Sequence, residues 1–322
     1  MQSLGCDVAA LNTVQFSNHT GYGQWTGSRV SAQEITDLFQ GLKQSYLDDF
    51  DMMLSGYVPG AEALEAVGRI AQELKTKAKK KPGSFFWVLD PVMGDNGNLY
   101  VAQDVVPVYK SLISHADLIL PNQFEAELLS EVSIVDMPSL GRAIQVMHER
   151  YCIPHIIITS VSLAGGDDPS APPPSSLCVV GSTMTSARRA RAFKIVFPAI
   201  DCYFSGTGDM FAALTVVRMR EAVWNTPGGD LVRTEAWRSA DGVDALELPL
   251  AKAAEKVLAS MHEVLTKTCL AMEEGLRRRR GEGVNGDDKT ARLLKSKAAE
   301  LKLVRHVDSL RNPKVEFRAV KV

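Results

Sequence analysis

The sequence has little net charge and no long apolar run. Its 36 Lys and Arg residues nearly balance 38 Asp and Glu residues, so the formal net charge over 322 residues is -2. A surface of mixed charge offers no general field for a nucleic-acid backbone or an anionic membrane. The longest apolar runs, such as residues 85–89, are far shorter than the roughly 20 residues of a membrane-spanning helix. We therefore expect a soluble protein whose partner is a small molecule, with no nucleic-acid or membrane partner.

Cysteine is also scarce. The five cysteines are scattered and odd in number, which argues against a disulfide framework. Residues 1–11 lack the basic region and the continuous apolar region of a secretory signal. Both features predict a cytoplasmic protein in which cysteines act as small buried apolar residues. The cysteines are Cys6, Cys152, Cys178, Cys202 and Cys269.

Several motifs of well-known enzyme classes are missing. The chain has no G-x-x-x-x-G-K-[ST] loop and no G-x-G-x-x-G motif after a strand. These absences argue against a P-loop nucleotidase and a dinucleotide-dependent oxidoreductase. The G-x-S-x-G turn of an α/β-hydrolase is also absent, and the six histidines show no metal-ligand spacing.

The sequence does contain alternating helix and strand patterns. Ser31 and Glu34 have the spacing of a capping box, which predicts a helix that begins near Ala32. Alternating strands and helices of this length imply parallel strands joined by right-handed crossovers. Apolar runs predict strands at residues 50–54, 85–89, 117–120 and 155–159, followed by an antiparallel pair at 177–182 and 192–197. We predict an α/β fold in which a doubly wound, mostly parallel sheet carries helices on both faces.

No composition break divides the chain, so we predict a single domain over residues 1–322. Three polar stretches interrupt the pattern, near residues 164–176, 225–247 and 276–290. Their Pro, Gly, Ser and charged residues are typical of surface insertions, and we expect them to be mobile.

A glycine-containing loop leads directly into a predicted apolar helix. The loop contains Gly206, Thr207 and Gly208, and Asp209 follows. Free backbone N–H groups at the positive end of a helix can hold a phosphate group or the charge that develops during its transfer. An aspartate at this place can accept a proton from an attacking hydroxyl group. The alternative is an ordinary helix cap, because aspartate is also favoured at helix starts.

Polar side chains also follow two predicted strands. Asp90 and Asp95 come after one strand, and Asn122 and Glu125 come after another. Ligands bind beyond the carboxyl ends of strands in open α/β sheets, and Mg²⁺ prefers oxygen ligands of this kind. Together the two segments favour a magnesium site. The alternative is that Asp90 and Asn122 cap turns while Asp95 and Glu125 are solvated.

Four segments, taken in order, resemble the pyridoxal kinases of the ribokinase-like superfamily. They are N-T-V-Q-F-S-N-H-T-G-Y at 12–22, D-P-V-M-G-D at 90–95, P-N-Q-F-E-A-E at 121–127 and G-T-G-D at 206–209. The resemblance runs from about residue 4 to about residue 275. It implies ATP-dependent phosphorylation of the 5′-hydroxymethyl group of pyridoxal, pyridoxine or pyridoxamine. It also implies ATP and Mg²⁺, leaves K⁺ open as a second cation, and implies a homodimer.

The resemblance assigns roles to individual residues. Asp209 becomes the catalytic base, and Gly206, Thr207 and Gly208 supply the anion hole. Asp90, Asp95 and Glu125 organise magnesium. The nucleotide is expected beside Thr159, Ser160, Phe204 and Asn122. The pyridine ring is expected beside Val14, Phe16, His19, Thr20 and Tyr57, although Val14 and Phe16 could instead belong to an ordinary core.

The chain departs from the family pattern at three places. The family opens with an apolar strand and a glycine turn, whereas this sequence starts inside the expected first crossover helix, so we expect a sheet without its first strand. Leu120 replaces a residue that often carries a hydroxyl group, and residues 94–100 form a short version of the segment that covers ATP. Two alternatives therefore stay open: a non-catalytic protein that binds vitamers or another subunit, and a kinase of the hydroxymethylpyrimidine type.

Overall fold

The computed structural model of the chain describes residues 1–161, 176–281 and 288–322. The strands are β1 (Val14–Phe16), β2 (Gly27–Arg29), β3 (Met52–Ser55), β4 (Phe86–Leu89), β5 (Gly94–Asp95), β6 (Asn98–Leu99), β7 (Leu118–Ile119), β8 (His155–Val161), β9 (Ser176–Met184), β10 (Ala190–Pro198) and β11 (Val320–Lys321). The helices are α1 (Ala32–Gln44), α2 (Ala61–Ala78), α3 (Val105–Leu112), α4 (Gln123–Ser130), α5 (Met137–Tyr151), α6 (Thr207–Trp224), α7 (Pro249–Gly281), α8 (Asp288–Ala298) and α9 (Val307–Arg311).

One sheet organises these elements. In the described residues its strand order is β11, β10, β9, β8, β7, β4, β3. Strands β3, β4, β7 and β8 are parallel, whereas β9, β10 and β11 continue the sheet in antiparallel pairing. The parallel strands are joined through helices, as a parallel sheet requires. The predicted parallel sheet and the antiparallel pair after it are both confirmed.

Helices cover both faces of the sheet, as predicted. Strand β4 shows why, because its successive side chains point to opposite faces. Trp87 and Leu89 pack in the cluster formed with helices α1 to α5. Phe86 and Val88 pack in the second cluster, with helices α6 and α7. All four residues are fully buried, so the strand supplies apolar surface to two cores.

The amino-terminal residues differ from the expectation of a crossover helix. Residues 2–4 form one short 3-10 turn, and the Arg311 side chain donates a hydrogen bond to the Ser3 carbonyl oxygen at 2.8 Å. In the described residues β3 pairs with β4 alone and so lies at an edge of the sheet. The helix predicted near Ala32 does begin there, and the Ser31 side chain accepts a hydrogen bond from the Glu34 N–H group.

The segment at 225–247 is more closely packed than expected for a surface insertion. Trp237 is buried and stacks on Phe86 with a ring separation of 4.3 Å. Its indole N–H group donates to the Gly83 carbonyl oxygen at 2.9 Å. This segment therefore completes one of the two cores. Residues 164–175 and 282–287, from the other two predicted insertions, lie outside the described residues.

None of the helices in residues 1–161, 176–281 and 288–322 is both long enough and apolar enough to cross a membrane.

Candidate active site

The carboxyl ends of the parallel strands bring the predicted polar residues together. Asp90 directly follows β4, and its N–H group donates to the Ser55 carbonyl oxygen at 2.9 Å. Asn122 follows β7 and forms a bridge with Thr159 at the end of β8. Adjacent parallel strands end at the same edge of the sheet, which explains why residues so distant in sequence meet here.

Two buried carboxyl groups form the centre of this edge. Asp90 is 8% exposed and Glu125 is 3% exposed. Burial raises the pKa of Asp90 well above its ordinary value, and the charges of Glu125 and Asp209 raise it further. Burial also raises the pKa of Glu125 to about 7, although backbone N–H groups that bind the carboxylate oppose this shift. The site therefore concentrates negative charge where a bound cation is favoured.

The donor set fits a magnesium ion that also binds phosphate. Among the described residues, no group of three or more His, Cys, Asp or Glu side chains is placed to hold a metal alone. Mg²⁺ is usually bound through one or two carboxylates, with water and substrate phosphates supplying the other ligands. Asp90 is the best placed carboxylate for this role, because no described residue donates a hydrogen bond to its side chain.

Glu125 has a structural role that the sequence only partly indicated. One oxygen, Oε1, accepts hydrogen bonds from the N–H groups of Met93 and Gly94 at 2.8 and 3.4 Å, and Oε2 accepts one from Asn122 at 2.9 Å. Asn122 in turn caps α4 and donates its amide N–H to the Gly94 carbonyl oxygen at 2.7 Å. The capping alternative for Asn122 is thus the role that is observed, and its nucleotide contact stays a prediction. The solvated alternative for Glu125 is wrong, because the side chain is buried.

The short hairpin of β5 and β6 carries Asp95 beside the acidic pair. Asp95 is exposed, and its Oδ1 accepts a hydrogen bond from the Asn96 N–H group at 2.8 Å. Burial raises the pKa of Tyr100, and the charges of Asp95 and Tyr203 add to this effect. Tyr100, which directly follows the hairpin, is a residue near the acidic pair that sequence reasoning missed.

Asp209 is not the cap of its helix, so that alternative is wrong. The cap residue of α6 is Gly206, whose φ of 79° is readily adopted only by glycine, and Asp209 lies inside the first turn. The first N–H groups of the helix have no partner within it. A Cβ atom built on Gly208 would lie 4.0 Å from Asp90 Oδ2, and one built on Gly56 would lie 3.9 Å from Asp209 Oδ1. Asp209 thus stands at the open end of the helix beside Asp90.

The Asp209 carboxyl group is accessible, yet nearby protein atoms partly desolvate it. The residue as a whole is exposed, and desolvation raises the pKa of its carboxyl group. A raised pKa makes the carboxylate a stronger base than a fully hydrated one. Both properties suit a group that accepts a proton from a bound alcohol.

The predicted nucleotide residues lie along the same edge. Ser160 adopts a φ of 46° where β8 departs from regular pairing with β9, so the end of the strand is bent. Thr159 is half-buried, and its N–H group donates to the Pro121 carbonyl oxygen at 3.0 Å. Phe204 is half-buried at the start of the glycine loop. Their contact with a nucleotide stays a prediction.

Three of the predicted ring-binding residues, Val14, Phe16 and Tyr57, lie on two connected elements, the ribbon of β1 and β2 and the end of β3. Val14 and Phe16 are half-buried on the ribbon of β1 and β2, outside both core clusters, so the core alternative for them is wrong. Thr13 Oγ1 donates to the Tyr57 carbonyl oxygen at 2.7 Å and ties the ribbon to the end of β3. Tyr57 adjoins Gly56, which faces Asp209.

His19 and Thr20 begin a short 3-10 turn at residues 19–22, called the His19 turn below. The turn contacts Glu300, a residue that the sequence alone did not indicate. Glu300 Oε1 accepts a hydrogen bond from the Tyr22 hydroxyl group at 2.8 Å and lies 3.3 Å from His19 Nε2. No motif marks Glu300, and 278 positions separate it from Tyr22, so only the fold could identify this contact.

Comparisons with known proteins agree with this arrangement. The family described as phosphomethylpyrimidine kinase matches residues 45–220. A putative pyridoxal kinase of Schizosaccharomyces pombe is 34% identical over 268 residues, which cover 83% of this chain and 78% of that protein. The pyridoxal kinase of Ovis aries is 32% identical over 332 residues, with coverage of 99% and 90%.

A solved structure shows the same fold. The pyridoxal kinase of Leishmania donovani in complex with ADP and pyridoxamine has a TM-score of 0.75 and 26% sequence identity. The match covers 100% of this chain and 91% of the other. The sheet, the acidic strand ends and the glycine loop all lie within the part of this chain that matches these relatives. This chain therefore belongs to the pyridoxal kinase family, which has the ribokinase-like α/β fold.

Proposed function

We propose that the protein transfers the γ-phosphoryl group of ATP to the 5′-hydroxymethyl group of pyridoxal, pyridoxine or pyridoxamine. The observation that carries this proposal is the position of Asp209. Its accessible carboxyl group lies in the first turn of α6, next to Asp90 and to Gly56. A base, a helix amino terminus and a cation-binding carboxylate are thus within reach of one reacting group.

In the proposed reaction, Asp209 accepts the proton of the vitamer hydroxyl group. The hydroxyl oxygen then forms a bond to the γ-phosphorus, and the bond from that phosphorus to the oxygen of ADP breaks. The N–H groups of Gly206, Thr207 and Gly208 stabilise the negative charge on the transferred group. Phosphoryl transfer depends mainly on positioning and on neutralising charge, and this set supplies both.

Asp90 and Asp95 are the proposed magnesium-binding side chains, acting in part through water. Glu125 assists them by holding residues 93 and 94 in place through its hydrogen bonds. When bound, Mg²⁺ supplies positive charge that neutralises the phosphates of ATP. We assign no residue to K⁺, which the family resemblance leaves open as a second cation.

The vitamer ring is proposed to lie between the ribbon of β1 and β2 and the end of β3. Val14, Phe16 and Tyr57 provide apolar and aromatic surface there, and His19 and Thr20 provide polar groups. An apolar slot with a few polar anchors is typical of sites for small aromatic ligands. The nucleotide is proposed to lie on the other side of the glycine loop, beside Thr159, Ser160, Phe204 and Asn122.

Two further proposals concern the cell and the assembly. We propose a cytoplasmic location, since all five cysteines lie in the described residues and are free thiols. Only Cys178 is buried and Cys152 is exposed, so the expectation that all five are buried apolar residues is wrong. A homodimer is expected from the family resemblance, and sedimentation of the purified protein measures it directly.

The test is an assay of the purified protein with Mg²⁺, ATP and each of the three vitamers, in which the phosphorylated product is identified by mass. Asp209→Asn is expected to lower kcat at least 100-fold, since removal of a general base typically costs about that factor. Nucleotide affinity is expected to stay near the wild-type value. Asp201→Asn, on the segment that leads into the glycine loop and also exposed, is the matched control and is expected to keep full activity.

Three results would contradict the proposal or the role of Asp209 in it. Phosphorylation of hydroxymethylpyrimidine in place of the vitamers would favour the second candidate, which the match to the phosphomethylpyrimidine kinase family supports. Vitamer binding without any turnover would favour a non-catalytic binding protein. Normal turnover by Asp209→Asn would remove Asp209 from the role of base.

A further inference from the structure

The carboxyl-terminal part of the chain contacts the proposed vitamer site. Helix α8 ends at Ala298, and the next three residues, Ala299, Glu300 and Leu301, are called the latch below. Ala299 is buried, and Leu301 would lie 4.0 Å from a Cβ atom built on Gly206 of the glycine loop. The latch therefore lies against the proposed anion hole although it is remote from it in sequence.

A single carboxylate oxygen connects the latch to the His19 turn. Glu300 Oε1 accepts the Tyr22 hydroxyl hydrogen bond at 2.8 Å, and the same oxygen lies 3.3 Å from His19 Nε2. Helix α8 supports this contact, since a Cβ atom built on Gly23 would lie 3.1 Å from the Arg292 guanidinium group. The His19 turn is therefore held from outside by residues that belong to no motif of the family resemblance.

The other ring nitrogen of His19 faces the glycine loop. A Cβ atom built on Gly21 would lie 3.0 Å from both His19 Nδ1 and Ser205 Oγ, so these two atoms converge on the same point. His19 Nδ1 is buried and has no hydrogen-bond partner among the described residues. A cavity of about 10 Å³ opens between the latch, His19 and Ser205, which is close to the space that one water molecule needs.

These contacts affect the orientation and the tautomer of the His19 ring. In a neutral imidazole one nitrogen donates and the other accepts. A carboxylate beside Nε2 favours the proton on that nitrogen, because N–H groups bind to carboxylates more strongly than to neutral acceptors. Nδ1 is then left as an acceptor that faces the Ser205 hydroxyl group. The contact with Glu300 thereby orients the ring, and in the neutral imidazole it favours the proton on Nε2.

We infer that Glu300 is a positioning residue for vitamer binding: it holds the His19 turn, through His19 and Tyr22, in the conformation that receives the pyridine ring. This inference rests on the proposed function. The contact orders the turn before the vitamer binds. The conformational entropy of the turn is therefore already lost in the free protein and does not weaken vitamer binding. The nucleotide and the magnesium ion are proposed to lie in other parts of the site, and within the described residues Glu300 has no contact with their proposed ligands.

The test compares Glu300→Ala and Glu300→Gln with the wild-type protein. Glu300 is 52% exposed at its side chain, and polar contacts between exposed side chains are weak, so we expect an increase in the KM for pyridoxal of about three- to fivefold for Glu300→Ala. The KM for ATP and kcat are expected to stay within about twofold of wild type, since the interaction is made equally in the ground state and the transition state. Glu300→Gln keeps an acceptor for Tyr22 and is expected to show a smaller increase.

Two further variants separate positioning from general stability. Tyr22→Phe is expected to raise the same KM, and its effect is expected not to add to that of Glu300→Ala, because the two groups share one hydrogen bond. Glu65→Ala changes an equally exposed glutamate on α2 and is expected to leave all three kinetic parameters unchanged. Melting temperatures identify any variant that fails to fold, and in that case Glu300→Gln carries the test.

An unchanged KM for pyridoxal in both Glu300 variants overturns the inference, as does an equal change in kcat and in the KM for ATP. If the wild-type protein has no kinase activity, the proposed function fails, and calorimetric titration with pyridoxal replaces the kinetic comparison. Weaker pyridoxal binding by Glu300→Ala than by wild type then supports the role of Glu300 by itself. Equal binding, or no binding by either protein, overturns it.

Discussion

At the scale of single residues, Glu125 links the acidic cluster to the backbone around it. Its two oxygens accept hydrogen bonds from three backbone N–H groups, those of Met93, Gly94 and Asn122. This use of the carboxylate leaves little capacity for a direct metal bond. Asp95 is the contrasting case, because it is exposed and its described hydrogen bonds go only to neighbouring Asn96. The two acidic residues therefore affect magnesium in different ways.

Variants of these two residues are expected to separate stability from metal dependence. Glu125→Ala leaves three N–H groups without their acceptor in a buried place, so we expect a loss of about 2 to 4 kcal/mol in the free energy of unfolding. Asp95→Ala is expected to change that free energy by less than about 0.5 kcal/mol, as is usual at the surface. Both are expected to raise the Mg²⁺ concentration needed for half-maximal activity. Denaturant unfolding without magnesium or nucleotide, together with a magnesium titration of activity, measures the two effects, and equal stability of the two variants would contradict this account.

At the scale of secondary-structure elements, the end of the sheet opposite the site is fixed by an ion pair. Asp117, which is 1% exposed, precedes β7 and accepts hydrogen bonds from Lys75 Nζ of α2 at 2.6 Å and from the Trp87 N–H group at 2.8 Å. Burial raises the pKa of the Asp117 carboxyl group in spite of the opposing effect of Lys75. The pair ties α2 to two adjacent strands, which fixes where their opposite ends present Asp90 and Asn122.

Removal of one member of the Lys75–Asp117 ion pair is expected to lower the free energy of unfolding, because the other member is left without its partner. Asp117→Ala is expected to lower the free energy of unfolding by about 3 to 5 kcal/mol, the usual cost of breaking a buried pair. Lys75→Met is expected to cost less, because the Lys75 side chain is partly exposed, at 29%. Lys77→Met on the same helix is the control, since the Lys77 side chain that pairs with Asp48 is 56% exposed and pairs of exposed side chains contribute less than about 1 kcal/mol. Urea unfolding of the three variants measures these differences, and a loss for Asp117→Ala as small as that for Lys77→Met would contradict the role given to the pair.

The elements also show which features the sequence can predict. The helix start at Ser31, the parallel strands and the antiparallel pair each depend on patterns within about ten residues, and all were predicted correctly. The acidic strand ends were also predictable, because the fold rule places them at one edge. The Glu300 contact was not predictable, since it joins residues that are distant in sequence and share no pattern. The burial of Trp237 was not predicted for a related reason. It is a single aromatic residue within the polar segment at 225–247, and one residue makes no apolar pattern.

At the scale of the whole molecule, two buried histidines connect the sheet to its surroundings. His155 in β8 contacts Thr183 Oγ1 at 2.9 Å and the Ala236 carbonyl oxygen at 2.7 Å, so it anchors the segment at 225–247. His148 in α5 contacts the Ile153 carbonyl oxygen at 2.7 Å and Ser182 Oγ at 2.9 Å. Burial lowers the pKa of His148 to about 4 and that of His155 to about 3. Both side chains are therefore neutral in the folded protein near neutral pH.

These lowered values predict acid sensitivity of the fold. The pKa of each histidine is 6.5 before burial, so the unfolded chain binds more protons than the folded protein below that pH. The stabilising effect of each neutral histidine is present above pH 6.5 and is lost as the pH falls towards about 4 for His148 and about 3 for His155. Each histidine contributes a slope of up to about 1.4 kcal/mol per pH unit across this window. Buried Asp90 and Glu125 oppose the trend, because their raised pKa values favour the folded state at lower pH.

The contribution of the histidines is therefore best measured as a difference between variants. His155→Gln and His148→Gln lower stability at neutral pH through imperfect packing, but each removes one titrating group. We expect the free energy of unfolding of either variant to fall less steeply below pH 6.5 than that of wild type, by up to about 1.4 kcal/mol per pH unit. Ile157→Val, a fully buried and non-titrating position on β8, is the control and is expected to keep the wild-type slope. Chemical unfolding across the acid range provides the slopes. If all three variants and the wild type share one slope, acid lability arises elsewhere and the buried histidines act only through their packing and hydrogen bonds.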